Sequence, residues 1–148
     1  MREKKIFLDM DGTFVDFYSY PNWLDYLLKE ETTPYEMAKP LVSMQDLSNE
    51  LNRLQSNGYK IYVISWGSKG ATKKYLKQIE KAKKKWIKKN LKNFTFNEIF
   101  IVPYGTYKEK VANNSKGYLF DDELNNRKYW NGTARTEKNL IEKLRKIK

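Results

Sequence analysis

The chain contains no cysteine and no histidine. Without cysteine there are no disulfides, no thiolate zinc sites and no cysteine-phosphatase chemistry. Without histidine there is no Ser-His-Asp triad, no phosphohistidine intermediate and no imidazole metal ligand. Any catalysis must therefore use carboxylates, lysine, hydroxyls or tyrosine, with a hard, oxygen-seeking metal if a metal is used at all. Long apolar runs are also missing. None approaches the ~20 residues a membrane-spanning helix needs. The N-terminal stretch, MREKK followed by a short apolar segment broken by Asp9, is too short and too acidic for a signal peptide, so the cytoplasm is the expected compartment. Acidic residues are scarce in one place above all. From Lys69 to Lys92 there are eleven lysines and one acid, Glu80, so this segment carries +10 of a net charge of +11. The basicity belongs to one element rather than to a whole surface.

What remains suits one soluble domain. The 148 residues are 40% hydrophobic and 32% charged, enough to bury a core. Ile6-Phe7-Leu8 is a short apolar run halted by Asp9-Met10-Asp11-Gly12-Thr13, which reads as a buried strand entering a tight turn. Asp16 to Leu28 is dense in aromatics, and Pro21-Asn22 predicts a helix from about Trp23. A short helical piece is expected near Tyr35 to Lys39, ended by Pro40. Met44, Leu47, Leu51 and Leu54 recur at helical spacing over 43–55, and Asn57-Gly58 stops that helix. A second strand is expected over Tyr59 to Ile64. A long helix over about 69–90 would bury Tyr75, Leu76, Ile79, Ala82, Trp86 and Ile87 and put its lysines on the other faces. Ile99 to Val102 and Gly117 to Phe120 read as third and fourth strands, with a short helix over 106–113 between them. A helical turn follows at about 127–132, and Leu140, Leu144 and Ile147 mark a last helix.

Strands alternating with helices predict an α/β domain with a central parallel sheet and right-handed crossovers. The segment of about 28 residues after the first strand, 16–43, is expected to be a small inserted lid. Three of the four strands end in polar residues: Asp9 and Asp11, then Ser65, then Asp121 and Asp122. Parallel strands put those ends on one edge, where open α/β sheets bind ligands. Four carboxylates in one place cannot all ionise without compensation. A divalent cation together with Lys108, after the third strand, supplies it, and Mg²⁺ suits carboxylate, water and phosphate oxygens.

The order Asp-x-Asp-Gly-Thr, Ser65, Lys108, Asp121-Asp122 resembles that of haloacid dehalogenase-like (HAD) phosphatases over essentially the whole chain. The resemblance implies a three-layer Rossmann-like fold with a small helical cap after the first strand. It also implies roles. Asp9 matches the nucleophile that becomes an aspartyl-phosphate, and Asp11 the general acid/base. Mg²⁺ would be held by the Asp9 carboxylate, the Asp11 backbone carbonyl and Asp121, with Asp122 through water. Ser65 and the backbone N–H groups of Trp66 and Gly67 would hold phosphoryl oxygens. Lys108 would neutralise charge; Lys110 could take that role, but Lys108 follows directly on the YGT turn. An acid at Asp11 favours phosphate esters, since dehalogenase members lack it. Asp121-Asp122 with Asn126, Trp130 and Gly132 is also similar to small phage and bacterial members and to 5'(3')-deoxyribonucleotidases.

Plainer readings compete at each point. Asp-x-Asp-Gly-Thr can be a solvated turn, Ser65 a helix N-cap, and Asp121-Asp122 the cap of a turn. Their shared order favours the catalytic reading. The aromatics over 17–26 are read as packing rather than as a base-stacking platform. The lysine-rich helix Lys69–Lys92 is read as a solvated face, with nucleic-acid binding possible but not favoured. The expected activity is a Mg²⁺-dependent phosphomonoesterase acting on a small phosphorylated substrate such as a nucleotide. A polynucleotide end-processing phosphatase and a nucleic-acid-binding module on the same scaffold are the alternatives.

Overall fold

A computed structural model describes residues 3–148. In chain order the elements are β1 Lys5–Leu8, β2 Val15–Asp16, α1 Trp23–Leu28, α2 Thr33–Met37, β3 Lys39–Pro40, α3 Met44–Ser56, β4 Lys60–Trp66, α4 Lys73–Asn90, β5 Glu98–Val102, α5 Lys108–Val111, β6 Tyr118–Phe120, α6 Leu124–Lys128, β7 Thr133–Arg135 and α7 Leu140–Arg145. The main sheet has five strands in the order β5-β4-β1-β6-β7, and every adjacent pair is parallel. The α/β reading therefore holds, with helices flanking a central parallel sheet.

The strand order fixes where a site can form. From β1 the chain works outward through β4 to β5, then crosses to the other side of β1 for β6 and β7. The direction reverses between β1 and β6. Such a switch point opens a crevice at the carboxyl ends of the strands, because neighbouring connections leave in opposite directions. Leu8 is in register with Phe120, and Asp9 N–H donates to Phe120 O at 2.9 Å, so Asp9 and Asp121 emerge side by side at that crevice.

Pleat alternation divides the core. Ile6 and Leu8 of β1, with Ile61 and Val63 of β4, face a large cluster completed by Leu47, Leu51 and Leu54 of α3, by α4, and by Leu140 and Leu144 of α7. Phe7, Ile64 and Leu119 face the opposite side, where Ala112 and Trp130 cover them. Trp130 packs edge-on to Phe7 with ring centroids 5.2 Å apart, and its indole N–H donates to Gly117 O at 3.0 Å.

Four expectations need correction. The sheet has a fifth strand, β7, which pairs in register with β6; Thr-Ala-Arg has no apolar run to announce it. The second strand continues to Trp66, so Ser65 lies within β4 and is not a helix cap. The long helix starts at Lys73, not near Lys69, and Thr72 is its N-cap, accepting from Tyr75 N–H at 3.1 Å. The last correction concerns which way that helix turns its lysines: Lys83 is fully buried.

The excursion over 16–43 contains α1, α2 and β3. Its ends are joined by an antiparallel pairing of β2 with β3, Val15 opposite Pro40 and Asp16 opposite Lys39. Two hydrogen bonds fasten it to α4: Trp86 Nε1–H to Ala38 O at 2.7 Å and Tyr75 O–H to Glu31 O at 2.7 Å. No helix among the described residues is long and apolar enough to cross a membrane.

Candidate active site

Asp9 is buried at the end of β1. Its Oδ1 accepts from Lys108 Nζ at 2.8 Å and its Oδ2 from Thr13 Oγ1 at 3.0 Å. Lys108 is buried at the start of α5 and also bonds Asp121 Oδ2 at 2.8 Å. One ammonium thus bridges carboxylates from β1 and β6. Lys110 is exposed, which settles which of the two lysines enters the site. Asp121 is held further by Asn126 Nδ2 at 3.1 Å and by the Glu123 N–H at 2.9 Å, while Arg127 donates to its carbonyl at 2.9 Å.

Asp9, Asp121 and Asp122 each offer one carboxylate oxygen, and these lie within 4.8 Å of one another. Asp122 is exposed as a residue, but its carboxyl end turns in against Gly12. Gly12 has φ +82°, and a Cβ there would collide with Asp122 Oδ2. Gly12→Ala should therefore cost about 2 kcal/mol of stability and displace Asp122. Thermal denaturation of the variant checks this.

Asp11 points elsewhere. Its Oδ2 is bonded at 2.8 Å by Lys83, which reaches in from α4. Lys83 Nζ also donates to Ser65 Oγ at 2.6 Å and Trp66 O at 2.7 Å. Sequence reasoning missed Lys83 because ten other lysines surround it in the chain. The available clue was position. Residue 83 lies four after Ile79 and three before Trp86, at the centre of the apolar stripe.

Trp66 lies half-buried, its indole N–H on Thr106 O at 2.9 Å and its ring 5.5 Å from Lys108 Nζ. Gly67 departs from expectation: its N–H donates to Val102 O at 2.7 Å, extending the sheet ladder, and is not free for a phosphoryl oxygen.

These groups floor a cavity of about 480 Å³. Its acidic end holds Asp9, Asp11, Asp121 and Asp122, with Ser65 and Lys108 beside them. Its other wall is apolar, formed by Phe17, Tyr18 and Tyr35, by Trp23, Leu24, Leu27 and Leu28 of α1, and by Trp66 and Tyr104 opposite. No residue of α1 is fully buried: Trp23 and Leu27 pack partly against the core, while Leu24 and Leu28 are exposed on this wall.

The electrostatics are those of an under-compensated acidic cluster. Burial alone would push Asp9 up, but the Lys108 charge and hydrogen bonds from Asp122, Lys108 and Thr13 outweigh it and hold Asp9 below the usual carboxylate range. Asp121 is pushed up to about 6 by burial and the Asp9 charge. Asp122 is pushed up to about 9 by burial, the Asp9 charge and a proton shared with Asp9. Burial raises Asp11 more than Lys83 lowers it. Lys108 is raised, since Asp9 and Asp121 overcome the effect of burial.

The pH dependence follows. A carboxyl raised in the folded state contributes stability that is present below its unfolded value and lost as pH climbs through its folded value. Asp121 and Asp122 therefore make the metal-free protein less stable as pH rises through about 6 and about 9. Melting temperature in a chelator should fall from pH 5 to pH 9, and millimolar Mg²⁺ should flatten that slope. The donor set fits such an ion: clustered hard oxygens with a surplus of negative charge, and no thiol or imidazole anywhere in the sequence.

The chain matches no protein-family model and no curated protein.

Proposed function

We propose that this protein is a HAD-like, Mg²⁺-dependent phosphomonoesterase acting through an aspartyl-phosphate on Asp9. The observation that carries the reading is the meeting of Asp9, Asp121 and Asp122 at the sheet's switch point, with Lys108 bridging the first two. Mg²⁺ would be held by the carboxylates of Asp9 and Asp121 and the backbone carbonyl of Asp11, with Asp122 through water. When bound, it supplies positive charge to the phosphoryl oxygens.

In the first step an Asp9 carboxylate oxygen attacks phosphorus, and the bond from phosphorus to the ester oxygen breaks. The departing oxygen takes a proton from Asp11. In the second, Asp11 takes a proton from water, the resulting hydroxide attacks phosphorus, and the Asp9–phosphorus bond breaks to release phosphate. Lys108 and Ser65 offset and orient charge on the transferring group. The raised affinity of Asp11 for its proton suits the first step.

The apolar wall supports a small ester whose leaving group is flat and partly apolar, such as a nucleotide. A panel of nucleoside monophosphates with Mg²⁺ tests this: phosphate release is expected from at least one. No turnover above an Asp9→Asn control overturns the reading.

A second reading, a polynucleotide end as substrate, is favoured by α4. Its lysines Lys73, Lys74, Lys77, Lys81, Lys85, Lys88 and Lys89 are exposed and, among the described residues, make no ion pair; of the exposed lysines of α4 only Lys84 does, with Glu80 at 2.7 Å. Lys69, just before the helix, lines the cavity. A 3'-phosphorylated oligonucleotide turned over with a much lower KM than its mononucleotide, and with a strong salt dependence, would decide for it.

A further inference from the structure

α4 is the most basic segment of the chain, yet Lys83 is withdrawn from solvent completely. Burying an ammonium is expensive unless all its donors are satisfied. Lys83 has three N–H donors and three short partners: Asp11 Oδ2 at 2.8 Å, Ser65 Oγ at 2.6 Å and Trp66 O at 2.7 Å. The ring of Tyr35 closes over it, its centroid 5.0 Å from Nζ. No donor is left over for a substrate, so Lys83 acts through the groups it holds.

Those groups belong to different parts of the site. Asp11 lies in the turn after β1, two residues beyond Asp9, while Ser65 lies near the end of β4. A carboxylate on a turn has free side-chain torsions and a strong electrostatic reason to go wherever positive charge is. In this crevice the competing destination is the cluster of Asp9, Asp121 and Asp122, where a cation would sit. Lys83 gives Asp11 a different partner. Its own place is fixed because Tyr75, Ile79 and Trp86 anchor α4 in the core and against the 16–43 excursion.

We propose that Lys83 is a positioning residue, which keeps the Asp11 carboxylate out of the acidic cluster and aimed at the leaving-group oxygen while fixing Ser65 beside the phosphoryl group. This rests on the phosphomonoesterase reading above. It explains why a charge occupies a position in the apolar stripe where methionine would fill the space with less desolvation.

Leaving-group chemistry tests it. An aryl ester such as p-nitrophenyl phosphate departs readily without a proton, whereas an alkyl ester such as a nucleoside monophosphate needs one from Asp11. A positioned general acid is worth about 10²–10⁴ in rate. Hydrolysis of the Asp9 intermediate is common to both esters, so the first step, read as kcat/KM, is compared: in Lys83→Met, kcat/KM for the alkyl ester should fall about 100-fold more than kcat/KM for the aryl ester. Lys83→Arg, which keeps the charge, should recover part of the difference. In an Asp11→Asn background, Lys83→Met should add little further loss on the alkyl ester, because both changes remove the same function. Should Lys83→Met fail to fold, Lys83→Arg in the wild-type and Asp11→Asn backgrounds decides by the same non-additivity. Equal losses in kcat/KM on the two esters, or losses that add fully to those of Asp11→Asn, would overturn the assignment while leaving the phosphatase reading intact. A wild-type protein inactive on both esters overturns both.

Discussion

Asp9→Asn should abolish Mg²⁺-dependent phosphate release, a loss of about 10⁴-fold or more, while leaving the protein folded. An amide oxygen is too weak a nucleophile to displace an ester oxygen at phosphorus. With the amide oxygen turned towards Lys108 that hydrogen bond survives, and the amide NH2 then faces the Thr13 hydroxyl, which can accept from it in place of donating. The variant also loses the negative charge that pushes Asp121 and Asp122 upward. Without metal, its melting temperature should therefore match or exceed that of the parent at pH 8. Activity and stability thus move independently, which separates a chemical role from a structural one. Retention of more than about 1% of the activity would be incompatible with a nucleophile at Asp9.

Lys108→Ala should damage both. Among the described residues Lys108 is the one cation bonded to Asp9 and Asp121 together, at 2.8 Å from each. Removing one partner from a buried ion pair strands the other, at a cost of about 3–5 kcal/mol. The penalty should be larger at pH 8 than at pH 5, because acid lets the stranded carboxylates take protons. Loss of a charge-stabilising group should also lower kcat by about 10²–10³-fold. Lys110→Ala is the natural comparison: exposed, it should change stability by no more than about 0.5 kcal/mol. Urea denaturation of both variants at the two pH values reads this out.

The parts legible in the sequence are those where local pattern and tertiary role agree. Ile6-Phe7-Leu8 stopped by Asp9 reads as a buried strand because burial on both faces requires an unbroken apolar run, and Phe7 does face the opposite cluster from Ile6 and Leu8. Leu47, Leu51 and Leu54 mark α3 for the same reason. The illegible parts are those where identity contradicts environment. Lys83 sits where a leucine would be expected, and its burial depends on Asp11, seventy-two residues away in sequence. β7 is a half-exposed edge strand of three residues, held by pairing with β6 and by Asp121 N–H on Arg135 O at 3.1 Å rather than by its own composition. The family resemblance implied that the Gly67 N–H holds a phosphoryl oxygen; that N–H instead donates to Val102 O, continuing the ladder that carries β4 to Trp66.

The most direct test of the central claim is a crystal structure grown with Mg²⁺ and a fluoride mimic of the phosphoryl group. The expected result is one Mg²⁺ bound by the carboxylates of Asp9 and Asp121, with the mimic in line with the free Asp9 oxygen and close to Ser65 and Lys108. A metal bound elsewhere, or a mimic that ignores Asp9, would contradict it.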